Sequence, residues 1–198
     1  MRGLLTCIGA VVVFATAGCG VSPEVAKQKG FALYDLGQFE EAHPYLEKAY
    51  VGEESDPELV VRLAYCRTAV AGDITGAISI LRDSMLRHPE YARTYYQLGY
   101  IAYNYGPKEK NANIIQALYF TRKAAELDST DFKIIDNLGM YHLLLGELDS
   151  AMVCFQTAKQ IKPDNADLNR RIEMTRGLLK KEAKLDSMMT ADTLKLQP

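Results

Sequence analysis

Hydrophobic and polar positions alternate with the period of an amphipathic helix, most clearly between residues 132 and 165. In this segment, Ala151, Phe155 and Ala158 follow an i, i+4, i+7 spacing that places them on one helix face. Gly146 lies before this helix and suits a preceding helix end at positive φ. The segment is therefore predicted to form two short helices joined by a tight turn.

A glycine followed by a small alanine recurs along the chain at a nearly constant interval. Successive glycines are 35, 34 and 40 residues apart, and in three of the four pairs the alanine lies five residues after the glycine. A period near 34 residues is typical of a two-helix repeat. The third pair is stretched by six residues, which predicts a surface loop at 107–111. The pairs are Gly37/Ala42, Gly72/Ala77, Gly106/Ala117 and Gly146/Ala151.

These positions resemble the tetratricopeptide repeat (TPR) family, whose pattern places aromatic residues, Gly, Ala and Pro at fixed offsets. Four units match in register, although Tyr65 replaces the first glycine of the second unit. The matching residues are Gly30, Leu33, Gly37, Phe39, Ala42, Leu46 and Ala49 in unit one, Gly72, Ala77, Leu81 and Pro89 in unit two, Tyr95, Leu98, Gly99, Ala117 and Ala124 in unit three, and Leu138, Gly139, Gly146, Ala151, Phe155, Ala158 and Pro163 in unit four.

The resemblance implies an all-α fold, a right-handed solenoid of four helix-turn-helix units. Because the last unit of a solenoid otherwise exposes an apolar face, residues 166–186 are predicted to form a capping helix. Residues 187–198 are predicted to form a flexible tail. The four units are predicted at 23–57, 58–91, 92–131 and 132–165, and the inward face of the cap at Leu168, Ile172, Thr175, Leu179 and Leu185.

The first eighteen residues have the layout of a secretory signal peptide, in which Arg2 precedes an uncharged apolar run and small residues follow. The small residues directly before Cys19 resemble the lipobox of bacterial lipoproteins. This resemblance implies cleavage before Cys19, lipid attachment to Cys19, and a short tether at 19–22. Two alternatives remain open: ordinary cleavage after the Ala15-Thr16-Ala17 segment, which releases a soluble protein, and an uncleaved anchor.

The composition permits a packed core and is nearly neutral. Apolar residues make up 48% of the chain and charged residues 24%, and 23 Lys and Arg against 25 Asp and Glu give a net charge of −2. Nucleic-acid-binding proteins normally carry a basic excess on one face, so this balance disfavours a nucleic-acid partner.

No arrangement of residues predicts catalysis, a metal site or a cofactor site. The sequence contains no Gly-rich phosphate loop and no nucleophile elbow, and its three histidines fall in different units. Cys66 and Cys154 belong to units two and four and are expected to be buried free thiols. We therefore expect a protein that is not an enzyme, with no cofactor, no metal and no small-molecule substrate.

Tyrosine is concentrated in the third unit, where six of the twelve tyrosines lie between Tyr91 and Tyr105. Three of them share one helical stripe, which in the family lines the concave surface, whereas Tyr95 holds the core aromatic position. An aromatic groove with arginines nearby suits a peptide with apolar and acidic residues, and packing against neighbouring helices is the alternative interpretation. The predicted groove residues are Phe31, Tyr34, Arg62, Arg93, Tyr96, Tyr100, Tyr103, Met140, Leu143 and Leu144.

The leading hypothesis is a lipid-anchored protein that binds protein or peptide partners at the bacterial cell envelope. Its lipid is expected in the outer membrane, and its repeats are expected to face the periplasm. It would act as an accessory or assembly factor, or as an adaptor. The alternatives are a stoichiometric structural subunit of an envelope complex and a soluble periplasmic adaptor.

Overall fold

The computed structural model describes residues 21–195, so the predicted signal peptide 1–18 and Cys19 lie outside the described residues. Within this range the regular elements are helical, and they form four helical pairs followed by one long helix. The predicted all-α solenoid is thereby confirmed. The α-helices are α1 (Pro23–Asp35), α2 (Phe39–Tyr50), α3 (Pro57–Cys66), α4 (Ile74–Arg87), α5 (Ala92–Tyr105), α6 (Ala112–Leu127), α7 (Phe132–Leu144), α8 (Leu148–Ile161) and α9 (Ala166–Lys195).

The helices begin where local capping favours them. Proline occupies the first turn of α1 and α3, where its missing N–H costs nothing. Asp56 caps α3 by accepting hydrogen bonds from the backbone N–H groups of Glu58 and Leu59. Asp131 caps α7 in the same way through the N–H of Lys133. The first helices of successive units contact one another, α1 against α3 and α3 against α5, and so build one continuous face.

Glycine in the first helix of a unit allows close packing against the second helix. A Cβ atom at Gly139 would lie 2.8 Å from two ring atoms of Phe155 and 3.0 Å from the Cβ of Cys154. Phe155 is fully buried, so its ring has no space into which to move. The repeated glycine therefore marks a helix contact that a side chain would obstruct.

We expect Gly139→Val to lower the free energy of unfolding by about 1–3 kcal/mol, because the added methyl groups overpack the contact between α7 and α8. Gly177→Ala is the matched control, since a Cβ atom added to Gly177 in α9 would meet nothing within 4 Å. This control should raise stability by about 0.5–1 kcal/mol through helix propensity alone. Urea unfolding of both variants measures the two effects, and a stable Gly139→Val variant would contradict the close contact.

Three of the four turn glycines adopt the predicted positive φ, with values of 76° at Gly37, 67° at Gly72 and 79° at Gly146. Gly106 differs, because its backbone is extended at φ −74° and ψ 167°. The six inserted residues follow it and replace the tight turn by a loop.

The left-handed positions of this inserted loop are occupied by Lys110 and Asn111, at φ 51° and 61°. Backbone and side-chain hydrogen bonds hold the loop in place. The N–H of Asn113 donates to the carbonyl of Pro107 at 2.8 Å, and its amide Nδ2 donates to the carbonyl of Tyr103 at 2.9 Å. The insertion is therefore tied to the ends of both helices that it joins.

Helix α9 covers the end of the solenoid, as expected of a cap, but only with its first half. Leu168 and Ile172 are 1% and 6% exposed and pack in a cluster with Phe155 and Ala158. Leu185, which was predicted to face inward, is 58% exposed, because the last repeat ends before the helix does.

Residues 187–195, which belong to the predicted flexible tail 187–198, continue α9 as a helix. The physical reason is visible in the sequence, since no Gly or Pro occurs between residues 178 and 197 to interrupt the helix. Within residues 21–195, no helix combines the length and the apolar composition that a membrane span requires.

Candidate functional site

A row of aromatic rings crosses the first three repeats on the face built by α1, α3 and α5. The ring of Tyr34 lies 5.1 Å from that of Phe39, Phe39 lies 4.8 Å from Tyr65, and Tyr65 lies 5.9 Å from Tyr100. These centroid distances are those of favourable aromatic pairs. Each of the four rings is only half-buried. Together with Tyr96, they form what we call the aromatic groove.

The aromatic groove contains two adjoining cavities of about 410 Å³ and about 330 Å³. The first is bordered mainly by aromatic rings, and the second by charged side chains. Both cavities share Tyr34, Asp35, Tyr96, Gln97 and Lys133, so they are two parts of one depression. The first also touches Gly37, Phe39, Tyr65 and Tyr100, and the second Glu58, Val61, Arg62, Arg93 and Asp131.

Arg62 is held in the charged part of the groove by two carboxylates. Its Nη1 donates to Asp35 at 2.6 Å, and its Nε donates to Glu58 at 2.6 Å. The guanidinium also lies over the rings of Phe31 and Tyr34, 4.3 Å and 5.1 Å from their centroids. The charge of Arg62 is therefore neutralised within the protein.

Glu58 links this pair to the next repeat. It accepts a hydrogen bond from the hydroxyl of Tyr91 and lies 3.4 Å from Arg93, whose Nε is 4.0 Å from Asp131. Burial of Glu58 opposes ionisation, but the hydrogen bonds from Tyr91 and Arg62 outweigh it and hold its pKa below the usual value. Because both groove arginines are paired with carboxylates, they give no reason to expect an acidic peptide.

Two polar groups of the groove were not anticipated from the sequence. Gln97 is 4% exposed, and its amide Nε2 has no hydrogen-bond partner among the described residues. Lys133 is exposed, and its ammonium makes no ion pair within residues 21–195. A signal for Gln97 was present in the sequence, where an uncharged polar residue stands between Tyr96 and Leu98 in the tyrosine-rich helix.

Tyr65 was also missed as a groove residue. Its signal was its position, because it replaces the small first glycine that the other three units carry. In those units the glycine faces the second helix, whereas the Tyr65 ring packs among Tyr34, Phe39 and Tyr100.

Five of the predicted groove residues line the two cavities, namely Tyr34, Arg62, Arg93, Tyr96 and Tyr100. The hydroxyl of Tyr96 accepts a hydrogen bond from Asn137 Nδ2 at 2.9 Å, and burial raises its pKa to about 12. This contact joins the groove to the fourth repeat.

The other five predicted residues do not line these cavities. Phe31 lies beneath Arg62, and Tyr103 packs on the buried ring of Tyr141 at 5.2 Å. Met140 and Leu143 are half-buried in packing clusters of the last two units, and Leu144 is 45% exposed. For Tyr103, Met140 and Leu143, packing between helices is the better interpretation.

The described residues contain no cluster of three His, Cys, Asp or Glu side chains that could hold a metal ion. Cys66 and Cys154 are free thiols, the first buried and the second half-buried. Burial raises the pKa of Cys66 to about 12, so this thiol is not activated for nucleophilic chemistry.

The fold and two of its repeats match known proteins. Sequence models described as tetratricopeptide repeat match residues 28–51 and 132–165. Comparison with curated proteins gives no match. Among solved structures, TTC0263, a thermophilic TPR protein of Thermus thermophilus, is 21% identical with a TM-score of 0.67, covering 80% of this chain and 83% of that one.

A second similar structure is MamA, residues 41 to the end, from Desulfovibrio magneticus RS-1. It is 18% identical with a TM-score of 0.61, and the alignment covers 89% of this chain and 96% of that one. At these identities the structural likeness concerns the fold. The chain therefore contains two segments that match tetratricopeptide repeat models, and its helical solenoid has the fold of TPR proteins.

Proposed function

We propose that the protein is a non-catalytic adaptor of the bacterial cell envelope that binds a peptide segment of a protein partner in the aromatic groove. The observation that carries this proposal is the row of half-buried rings beside two adjoining cavities. Half-buried tyrosines provide a large contact area and lose few rotamers on binding, which is why they are common at protein interfaces. The TPR fold supports the same conclusion, since its repeats form extended binding surfaces.

Site-specific photocrosslinking tests the groove directly. A benzophenone-bearing phenylalanine in place of Tyr100 should form an adduct with a defined partner in intact cells, because this ring lines the aromatic cavity. The matched control places the same group at Val153, which is 62% exposed on α8. Equal crosslinking from both positions would contradict the groove as the binding surface.

We further propose that a lipid on Cys19 anchors this adaptor to the membrane. The support is the run of small residues before Cys19 and the start of α1 at Pro23, capped by Ser22. The three residues between Cys19 and Pro23 span about 10 Å when extended. The solenoid would therefore lie against the membrane surface.

Mass spectrometry of membrane fractions should find a mature chain that begins at a lipid-modified Cys19. A Cys19→Ala variant should lose the modification and the membrane association. Recovery of a soluble chain that begins at Gly18 would contradict the anchor and leave a soluble periplasmic adaptor.

A stoichiometric structural subunit is the second candidate, and an apolar depression on the outer side of the repeats favours it. This cavity of about 250 Å³ lies between α4 and α6, above Leu98 and Ile101. Ile115 and Tyr119 nearby are 55% and 60% exposed. Co-purification at a fixed ratio, undisturbed by groove variants, would favour this alternative.

A further inference from the structure

The charged side chains of the aromatic groove are largely committed to one another. Three acids line it, Asp35, Glu58 and Asp131, and these are matched by Arg62, Arg93 and Lys133. Both arginines contact these carboxylates, and hydrogen bonding keeps Glu58 ionised despite its burial. A carboxylate from a partner would have to displace Asp35 or Glu58 to reach Arg62, which leaves Lys133 as the groove cation without an ion pair among the described residues. The groove therefore presents no net charge to an occupant.

Gln97 is a buried polar residue of the groove whose amide nitrogen this network leaves without a hydrogen-bond partner. Its side chain lines both cavities at the boundary between the aromatic and the charged part. The residue is 4% exposed, and the amide Nε2 has no partner among the described residues. A buried N–H donor without an acceptor destabilises a fold, and a ligand carbonyl within reach of Gln97 Nε2 would remove this cost.

We infer that the aromatic groove binds an uncharged, extended segment from within a partner's chain, with a backbone carbonyl that accepts a hydrogen bond from Gln97 Nε2. This inference rests on the proposed function and specifies its ligand. The apolar side chains of the segment lie on Tyr34, Tyr65 and Tyr100, which form the wall next to Gln97. Extended segments present alternate side chains to one face and backbone carbonyls between them, which fits an aromatic wall beside an amide donor.

The probes are two arrays of synthetic 12-residue peptides with acetylated and amidated ends, which remove the terminal charges. One array contains only uncharged residues, and in the other every third residue is Asp or Glu. The tightest peptide of each array is then titrated by fluorescence anisotropy against the wild-type protein and the variants Gln97→Met, Lys133→Met and Tyr100→Ser. Tyr119→Ser is the matched control, because Tyr119 is exposed on α6 away from the groove.

We expect the tightest peptide to be uncharged and its affinity to change little between about 0.05 M and about 0.5 M salt. Gln97→Met should lower the affinity for this peptide about threefold to tenfold, the equivalent of one neutral hydrogen bond. The melting temperature of the variant should not fall. Tyr100→Ser should also lower the affinity for the peptide, whereas Tyr119→Ser should leave this affinity unchanged.

Two results would overturn the inference and leave the proposed function standing. One is tightest binding of an acidic peptide that is weakened by salt and by Lys133→Met. The other is groove binding that Gln97→Met leaves intact while lowering the melting temperature, which would make Gln97 a structural residue. If neither array binds, or if Tyr100→Ser has no more effect than Tyr119→Ser, the proposed function fails together with the inference.

Discussion

Leu168→Asp is expected to lower the free energy of unfolding by about 3–5 kcal/mol, because it places an unpaired carboxylate in the core beneath α9. Leu168 is 1% exposed and packs in one cluster with Ile135, Phe155 and Ile172. These residues belong to both helices of the last repeat and to the cap. The substitution should therefore detach α9 and expose the apolar end of the solenoid.

Thermal and urea unfolding followed by circular dichroism measure this loss. The matched control is Leu185→Asp on the same helix, where the side chain is 58% exposed and the expected change is within about 0.5 kcal/mol. Leu179 is half-buried and should give an intermediate effect. Equal midpoints for Leu168→Asp and Leu185→Asp would show that α9 does not cap the repeats.

The repeat architecture was predictable because its sequence signals report local packing requirements. Position 139 is a glycine because the ring of Phe155 occupies the space that a side chain would need. Position 146 is a glycine because its backbone has a φ of 79°. Such requirements recur from unit to unit, so the spacing alone revealed the helical pairs. A match of the repeat model to residues 132–165 has the same bounds as the predicted fourth unit.

The departures from the regular pattern were not predictable in the same way. The inserted loop places Lys110 and Asn111 in left-handed conformations, although neither is a glycine, and Asn113 holds the loop by contacts to Pro107 and Tyr103. Such contacts depend on how the two helices are arranged in space. The sequence also did not show where α9 ends, because residues 187–195 continue the helix beyond its buried contacts with the last repeat.

Contacts between helices also limited how much of the candidate site could be predicted from the sequence. The stripe of Tyr96 and Tyr100 was visible from helical spacing, but its continuation to Tyr65 depends on how α3 and α5 lie against each other. The spacing also could not show that Arg62 is paired with Asp35, which is 27 positions away. Sequence periodicity identifies the face of a helix, whereas the chemistry of a groove depends on contacts between helices.

The contrast between groove and core can be measured before any partner is identified. Tyr141→Ala should lower the free energy of unfolding by about 3–5 kcal/mol, because Tyr141 is 1% exposed and its loss leaves a large cavity. Tyr100→Ala should lower it by only about 1 kcal/mol, since the ring is half-buried and contacts Tyr65 at one side.

Tyr95→Ala provides an internal scale for this comparison. Tyr95 is half-buried and packs on a cluster of Ala92, Ala124 and Ile134. The decrease in the free energy of unfolding for Tyr95→Ala should therefore fall between the decreases for Tyr141→Ala and Tyr100→Ala. Peptide binding should rank the two variants differently from stability. Tyr100→Ala should weaken the binding free energy by about 1–3 kcal/mol, and Tyr95→Ala should leave it unchanged. A loss of stability for Tyr100→Ala as large as that for Tyr141→Ala would place Tyr100 in the core. The rings of the groove would then stabilise the solenoid, and the partner would have to bind elsewhere.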